Sequence, residues 1–383
     1  MTTPTPIRIM FAGGGTGGHF YPALRLAEGA RQYAELHAAP EPVIAFFGNP
    51  DKIEGKALQD KETFFPLDVQ GFHRGSVGTM ISKNLAFTGK LLKSYLRARK
   101  NIKEFSPDVV VGTGGYVSGP PLFAAAQRGI PTLIQEQNSY PGVTSRMLAK
   151  YANEIHVAYE DAIEYLDEKK TVISGNPVKN FFETTDQASA KRALGLPPEK
   201  AMILVTGGSQ GAEAINKHLA ATLSWYAGQD ELTLFWQCGE KNIERYAPLA
   251  GGEPDIRLVG FIQDMDSAYT AADIIIGRAG ALTISELAIV GKPAILIPLP
   301  TAAANHQVHN AQSYASDGAA RMVEQHQLSD GLLEDTISDI LDNPALREEM
   351  SKQAREKATP EATRQIVESI YRLAGMEADV SEV

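Results

Sequence analysis

The sequence predicts an α/β protein made of two doubly wound, parallel sheets, and three observations predict it. Short β-branched runs alternate with helical patterns along most of the chain, the order that strand–helix–strand units produce. The apolar residues of those runs are nearly continuous rather than alternating, as expected where helices cover both faces of a sheet. One composite pattern also occurs twice. Residues 7–11 run into AGGGTGGHFYPALRLAEGAR and residues 202–205 run into TGGSQGAEAINKHLAATL. Each is a buried strand, a glycine-rich turn and an amphipathic helix, which aims backbone N–H groups and a positive helix end at an anion. The 383 residues suffice for two core-bearing domains of about 100–200 residues each.

Taken in order, the expected strands of the first half are 7–11, 43–47, 108–111, 131–134 and 154–157; those of the second half are 201–206, 232–237, 255–260, 273–277 and 294–298. Residues 175–195, with GNPVKNFF, lie between the halves as the expected linker and hinge. From 332 to 374 the pattern is helical, broken at Asn343-Pro344 and near Pro360, and the closing MEADVSEV reads as a mobile acidic tail.

Composition narrows the class. Hydrophobic residues make up 43% and charged residues 21%, which is globular rather than disordered. The single cysteine, Cys238, permits neither an intrachain disulfide nor a cysteine zinc site and suits a reducing compartment. No run reaches the roughly 18 apolar residues of a spanning helix, and the N-terminus lacks the basic region and cleavage site of a secretory signal. A soluble, intracellular protein is therefore expected. The net charge is −10, yet the window 71–105 holds eight basic residues against Glu104. With one basic stretch on an acidic chain, the protein is a poor general nucleic-acid binder but can dock on an anionic surface.

Four glycine loops carry the chemistry. In the first, Gly13, Gly15 and Gly18 satisfy G-x-G-x-x-G, which suggests a dinucleotide site. The next strand, however, ends Phe47-Gly48-Asn49 with no acid for an adenosine ribose, and no Lys follows the glycines as a Walker loop requires. His19 sits at the mouth of the following helix, where the positive helix end disfavours a protonated imidazole and favours a proton acceptor; a capping or packing histidine is the plain alternative. The second loop, 112–121, places Gly112, Gly114 and Gly115 ahead of a proline-started helix, fit either for a phosphate or for a tight turn.

The third loop, 207–211, matches G-x-S-x-G, so Ser209 with Asp273 and His306 downstream makes a serine hydrolase a competing reading; the same string describes a diphosphate cradle. The fourth, 277–286, offers backbone amides and Thr283 at a helix start, and Glu286 one turn in suits a ribose diol. The Asp264-Met-Asp266 string resembles a metal-binding D-x-D but sits just before a helix, where Asp is an ordinary cap. His306 and His309 lack a nearby acid or cysteine to complete a metal set. In the basic window, Ile81, Leu85, Leu92 and Leu96 fall on one helical face expected to pack in the core. Phe87 and Leu91 fall off it beside Lys83, Lys90 and Lys93, an edge suited to anionic lipid or simply a solvated helix.

The ordered set GGTGGHFYPAL, GTGGYVSGPP, QEQN, GNPVK, GGSQGA, FIQDM, GRAGALTISE and NHQVHNA resembles glycosyltransferase family 28, in particular its UDP-N-acetylglucosamine transferases that convert lipid I to lipid II in peptidoglycan synthesis. The likeness runs from Ile7 to about Ala320. It implies the GT-B architecture: two Rossmann-like domains facing across a cleft, 1–178 for the acceptor and the membrane, 179–358 for UDP-N-acetylglucosamine, and 359–383 as a helix crossing back to the first domain plus the tail.

The same resemblance implies roles. The donor diphosphate would lie at Ser209 and its glycines with Lys179 nearby, uracil by Ile262, and the rest of the nucleotide along Ala281, Leu282, Thr283, Ile284 and Ser285, with Glu286 on the ribose. Asn138, His306 and Gln307 would contact the sugar, together with Thr16, Gly17 and Gly18. The acceptor pyrophosphate would take Gly14, Gly15, Gly114, Gly115 and Tyr116, and His19 would be the base. No metal or other cofactor is implied. The partners would be UDP-N-acetylglucosamine, the undecaprenyl-pyrophosphoryl acceptor and an anionic membrane surface met through 71–105, at the cytoplasmic face of the inner membrane; no nucleic acid is expected. Lys179, Gln135 and Gly277 stand where the family carries Arg, His and Ser, which removes a bidentate phosphate contact at Lys179. A UDP-N-acetylglucosamine 2-epimerase and a non-catalytic nucleotide-sugar module share the architecture and stay open as alternatives.

Overall fold

The computed structural model describes residues 5–58, 61–69, 77–179, 186–208, 210–302 and 305–376, with backbone alone over 77–88. It divides into two units. Met1–Val178 joins Pro360–Val383 in the first, and Lys179–Thr359 forms the second.

The first unit holds β1 (Arg8–Gly13), β2 (Val43–Gly48), β3 (Thr63–Pro66), β4 (Val109–Gly114), β5 (Thr132–Glu136), β6 (Glu154–Val157) and β7 (Thr171–Ile173). They form one parallel sheet in the order β3-β2-β1-β4-β5-β6-β7. The second unit holds β8 (Ala201–Thr206), β9 (Leu232–Gln237), β10 (Ile256–Val259), β11 (Ile274–Gly277), β12 (Ala294–Leu296) and β13 (Ala320–Met322). Their parallel sheet runs β10-β9-β8-β11-β12-β13. All ten expected strands form. The sequence reading omits β3, β7 and β13, each three or four residues long and each at a sheet edge. A strand with one neighbour needs little apolar character, so it leaves a weak signal.

Both sheet faces are buried, which explains the continuous apolar runs. On β1, Ile9 and Phe11 join one core and Met10 and Ala12 the opposite one. Leu204 and Ile203 of β8 divide in the same way. The helix Ala362–Leu373 belongs to the first unit and lays Ile366, Val367, Ile370 and Tyr371 against the helix Gly17–Leu36. Burying each such side chain is worth about 1.5–3 kcal/mol, and the Tyr371 hydroxyl donates to the Ala30 carbonyl at 2.8 Å.

The helix Val77–Phe105 departs from expectation. Leu92 is 59% and Leu96 55% exposed, whereas Ser94, Ala98, Ile102 and Phe105 are buried. Small side chains at 94 and 98 let the helix approach Gly119–Ala126 closely, so Leu92 and Leu96 do not mark the inward face. Ile81, Leu85, Phe87 and Lys83 lie in the stretch without described side chains. The expected linker is shared: residues 175–178 belong to the first unit with Asn176 fully buried, the boundary follows Val178, and the helix Gln187–Ala193 is in the second. The tail beyond Met376 lies outside the described residues. The C-terminal helices Leu332–Asp342, Pro344–Glu356 and Ala362–Leu373 break where expected, with the Asn343 side chain accepting from the Leu346 N–H.

Candidate active site

The four glycine loops flank two topological switch points. In the first sheet the strand order turns around between β1 and β4, and in the second between β8 and β11. The loops at 13–19, 112–121, 207–211 and 277–286 follow the carboxyl ends of those four strands, where doubly wound sheets bind their ligands.

At the first switch point, Thr16 stands at the N-cap of Gly17–Leu36 and makes no side-chain cap. Its hydroxyl faces His19 instead, Oγ1 to Nδ1 at 3.1 Å. The His19 carbonyl accepts from the Thr113 hydroxyl at 2.6 Å, which ties the β1 loop to the β4 loop. The imidazole lies over Gly114 and Gly115, both in the left-handed region at φ 99° and 76°. A Cβ at 114 would stand 2.6 Å from the His19 ring, and one at 115 would overlap the Gly14 carbonyl, so only glycine fits. Behind the loops the Gln137 amide donates to the Thr113 carbonyl at 2.9 Å and to the Gln135 side chain. Gln135 in turn donates to Asn176 at 3.0 Å. Gln135 thus completes a buried amide network. Asn138 turns its amide nitrogen to Glu136, and Tyr116 is 45% exposed beside its loop.

At the second switch point, the turn 208–211 closes with the Gly211 N–H on the Gly208 carbonyl at 2.9 Å. Gln237 braces it, donating to the Gly208 carbonyl and accepting from Thr206. Ser209 lies outside the described residues. Gly280 is the N-cap of Ala281–Val290, without a side-chain cap. Leu282, Thr283, Ser285 and Glu286 are half-buried on this helix, whereas Ala281 and Ile284 are buried. Ile262 and Ile284 belong to the core. The Tyr269 hydroxyl donates to Glu286 Oε2 at 3.0 Å. Burial pushes the Tyr269 phenol well above its usual range, with Glu286 adding to it, so Tyr269 stays a donor. Arg278 is structural: it donates to the Ile297 and Pro298 carbonyls and to Gln325. His306 begins the helix His306–Ser316 after Asn305, whose φ is 56°. The Gln307 side-chain amide oxygen, Oε1, accepts from the Leu299 N–H at 2.9 Å.

Several sequence alternatives fall on geometry. Asp273 precedes β11 and accepts from the Met202 N–H and Lys191, so it sits at the amino end of the sheet. The loop 207–211 follows the carboxyl end of the adjacent parallel strand β8, a strand of four residues or about 13 Å away, so Asp273 does not reach it to complete the expected triad. Asp264 is the expected cap, accepting from the Ser267 N–H at 3.0 Å and hydroxyl at 2.6 Å; those Ser267 bonds hold its carboxyl below the usual range. Asp266 pairs with Lys179. Among the described residues no three His, Cys, Asp or Glu side chains form a metal-binding group. The sequence reading missed Glu54, Gln137 and Tyr269, whose types and spacings resemble ordinary core or helix-start residues.

Two Rossmann-like units, each with glycine loops at its switch point and the first presenting an imidazole there, form an architecture that nucleotide-sugar transferases and epimerases share. Residues 9–157 match the glycosyltransferase family 28 N-terminal domain and residues 202–366 the C-terminal domain; the chain belongs to glycosyltransferase family 28. A relative from Flavobacterium psychrophilum, named UDP-N-acetylglucosamine–N-acetylmuramyl-(pentapeptide) pyrophosphoryl-undecaprenol N-acetylglucosamine transferase, is 39% identical, covering 96% of this chain and 97% of its own. The crystal structure of Acinetobacter baumannii MurG has a TM-score of 0.74 at 31% identity, covering 96% of this chain and 100% of that one. A UDP-GlcNAc 2-epimerase from Neisseria meningitidis, 13% identical with a TM-score of 0.63 over 96% of this chain and 100% of its own, shares the fold alone.

Proposed function

We propose that this protein transfers N-acetylglucosamine from UDP-N-acetylglucosamine to the C4 hydroxyl of N-acetylmuramic acid in lipid I, with inversion, giving lipid II. The observation that carries the reading is His19, fixed by Thr16 between two glycine loops of the first unit in a chain whose full-length relatives carry that transferase name. With Nδ1–H donating to the Thr16 hydroxyl, Nε2 is the basic nitrogen of that tautomer and takes the C4 hydroxyl proton, directly or through a water. The C4 oxygen forms its bond to the anomeric carbon as the bond to UDP breaks, and the electron pair leaves with the diphosphate. In-line displacement produces the β-1,4 linkage.

The second unit suits the donor. Charge building on UDP meets the N–H groups at 207–211, around Ser209, and the start of Ala281–Val290, with Lys179 as an added point charge. Thr283 and Leu282 line the nucleotide, and Tyr269 aims Glu286 at the ribose. Ile262 and Ile284 serve through their backbone, since their side chains are packed in the core. Asn138, His306 and Gln307 are assigned to the sugar along with Gly17 and Gly18. In the first unit Gly14, Gly114, Gly115 and Tyr116 are assigned to the acceptor pyrophosphate. Gly15 serves there by its left-handed turn, φ 85°, because its N–H is already taken by Glu54.

The lipid acceptor calls for a membrane surface. No helix among the described residues is long and apolar enough to cross a membrane. Leu91, Leu92 and Leu96 are exposed among Lys93, Arg97, Arg99 and Lys100, which suits peripheral docking on anionic lipid at the inner face of the cell membrane. The deciding experiment supplies sugar-labelled UDP-N-acetylglucosamine with and without a lipid I analogue. Label moving into a β-1,4 disaccharide only when the acceptor is present is the expected result. Epimerised donor without acceptor would instead identify a 2-epimerase.

A further inference from the structure

We infer that Glu54 is a positioning residue for the acceptor, a buried strut that sets the first glycine loop and through it the bed of His19; this rests on the transferase reading above. Glu54 is 1% exposed and lies in the short helix Ile53–Leu58 after β2. Its Oε1 accepts two backbone N–H groups from two different loops, Gly15 and Asn49, each at 3.0 Å. Its Oε2 is buried without a hydrogen-bond partner among the described residues. Two glycines clear the space it fills, for a Cβ at Gly14 would overlap the carboxylate and one at Gly48 would stand 2.5 Å from Cγ.

The path from this carboxylate to the imidazole is short. Gly14 touches Glu54 on one side, while its carbonyl lies where a side chain at Gly115 would have to go; Gly115 in turn borders His19 Nδ1. Loss of the Oε1 acceptor therefore frees Gly15 and Asn49, loosens the turn between β1 and its helix, and alters the ground on which His19 rests. The buried Asn49 N–H would be left unpaired, which is costly, and the more open Gly15 N–H would turn to water, so the loop would move to find new partners. A carboxylate beneath an anion-binding loop also works against the anion, which means Glu54 serves as an acceptor and not through its charge. The same group accounts for the missing acid at the tip of β2: the nearest acid buried there points into the loop and not toward a ribose.

The experiment compares Glu54→Ala and Glu54→Gln with the wild type in three measurements: acceptor KM with a lipid I analogue, UDP Kd by calorimetry, and amide exchange at Gly15 and Asn49. Glu54→Ala should raise the acceptor KM by about tenfold or more and speed both amides, while UDP Kd stays within about twofold. Glu54→Gln keeps an oxygen acceptor and drops the charge, so its acceptor KM should return to the wild-type value or below. A Glu54→Gln variant as impaired as Glu54→Ala would overturn the inference, as would unchanged amide exchange in Glu54→Ala or a UDP Kd that worsens in parallel with the acceptor KM. The amide measurement needs no substrate, so it judges the strut even if wild-type transfer fails and the transferase reading falls.

Discussion

Thr16 has the position of a helix cap and the contact of an imidazole clamp, 3.1 Å from His19 Nδ1. That exchange of a local hydrogen bond for an oriented ring is what the proposed base needs and a packing histidine does not. His19→Ala should therefore lower kcat by about 10²–10⁴-fold, with UDP Kd unchanged because the residues assigned to the nucleotide lie in the other unit; single-turnover kinetics with calorimetry reads both. His19 stood out in the sequence as a candidate base because packing does not call for an imidazole after a run of glycines. Glu54 was not, because an acid opening a helix is an ordinary partner of the helix dipole, and only the fold reveals the two backbone N–H groups converging on it. Tyr269 was hidden for a related reason: its ring belongs to the core, and its one polar atom acts on Glu286 from seventeen residues earlier.

Among the elements, Val77–Phe105 shows how far periodicity can mislead. Its spacing announced a helix, which forms, but large leucines were read as the inward stripe while Ser94 and Ala98 take that place. Helix faces that pack closely on a neighbour select small residues, and a scale that rewards size points the other way. The consequence is testable. Leu92→Asp with Leu96→Asp should reduce binding to phosphatidylglycerol vesicles by about tenfold or more, with Tm unchanged because both side chains are exposed; an unchanged vesicle affinity in a flotation assay would remove the membrane assignment from this helix. Strands were the most legible elements, since burial on both faces forces a continuous apolar run. The short edges β3, β7 and β13 are only partly covered and escaped notice for the same reason.

At the scale of the molecule, the helix Ala362–Leu373 is secured to the first unit by a half-buried polar junction. Arg372 donates to Glu154 Oε2 at 2.5 Å, and His156 lies 2.9 Å from Oε1. Burial alone would raise the Glu154 carboxyl, but hydrogen bonds from His156, Arg372 and Ser369 outweigh it and hold the group at about 2, below its ordinary 4.5. A lowered carboxylate stabilises the fold fully above its unfolded value and loses that contribution as pH falls through the folded one. Glu154→Gln should therefore reduce Tm at pH 7, and its gap from the wild type should close between about pH 4.5 and pH 2; a gap independent of pH would refute the linkage. The two-unit plan was visible in the repeated strand–glycine–helix pattern, and the division after Val178 falls inside the stretch read as a linker. The return of the C-terminal helix followed from family resemblance alone, since its apolar stripe says that it packs but not where. The central claim assigns the nucleotide to the loops of the second switch point and leaves those of the first to the acceptor. Hydrogen–deuterium exchange with and without UDP tests it most directly: the account predicts slowed exchange at 207–212 and 278–286 with 13–19 and 112–116 unchanged, and protection confined to the first pair of loops would contradict it.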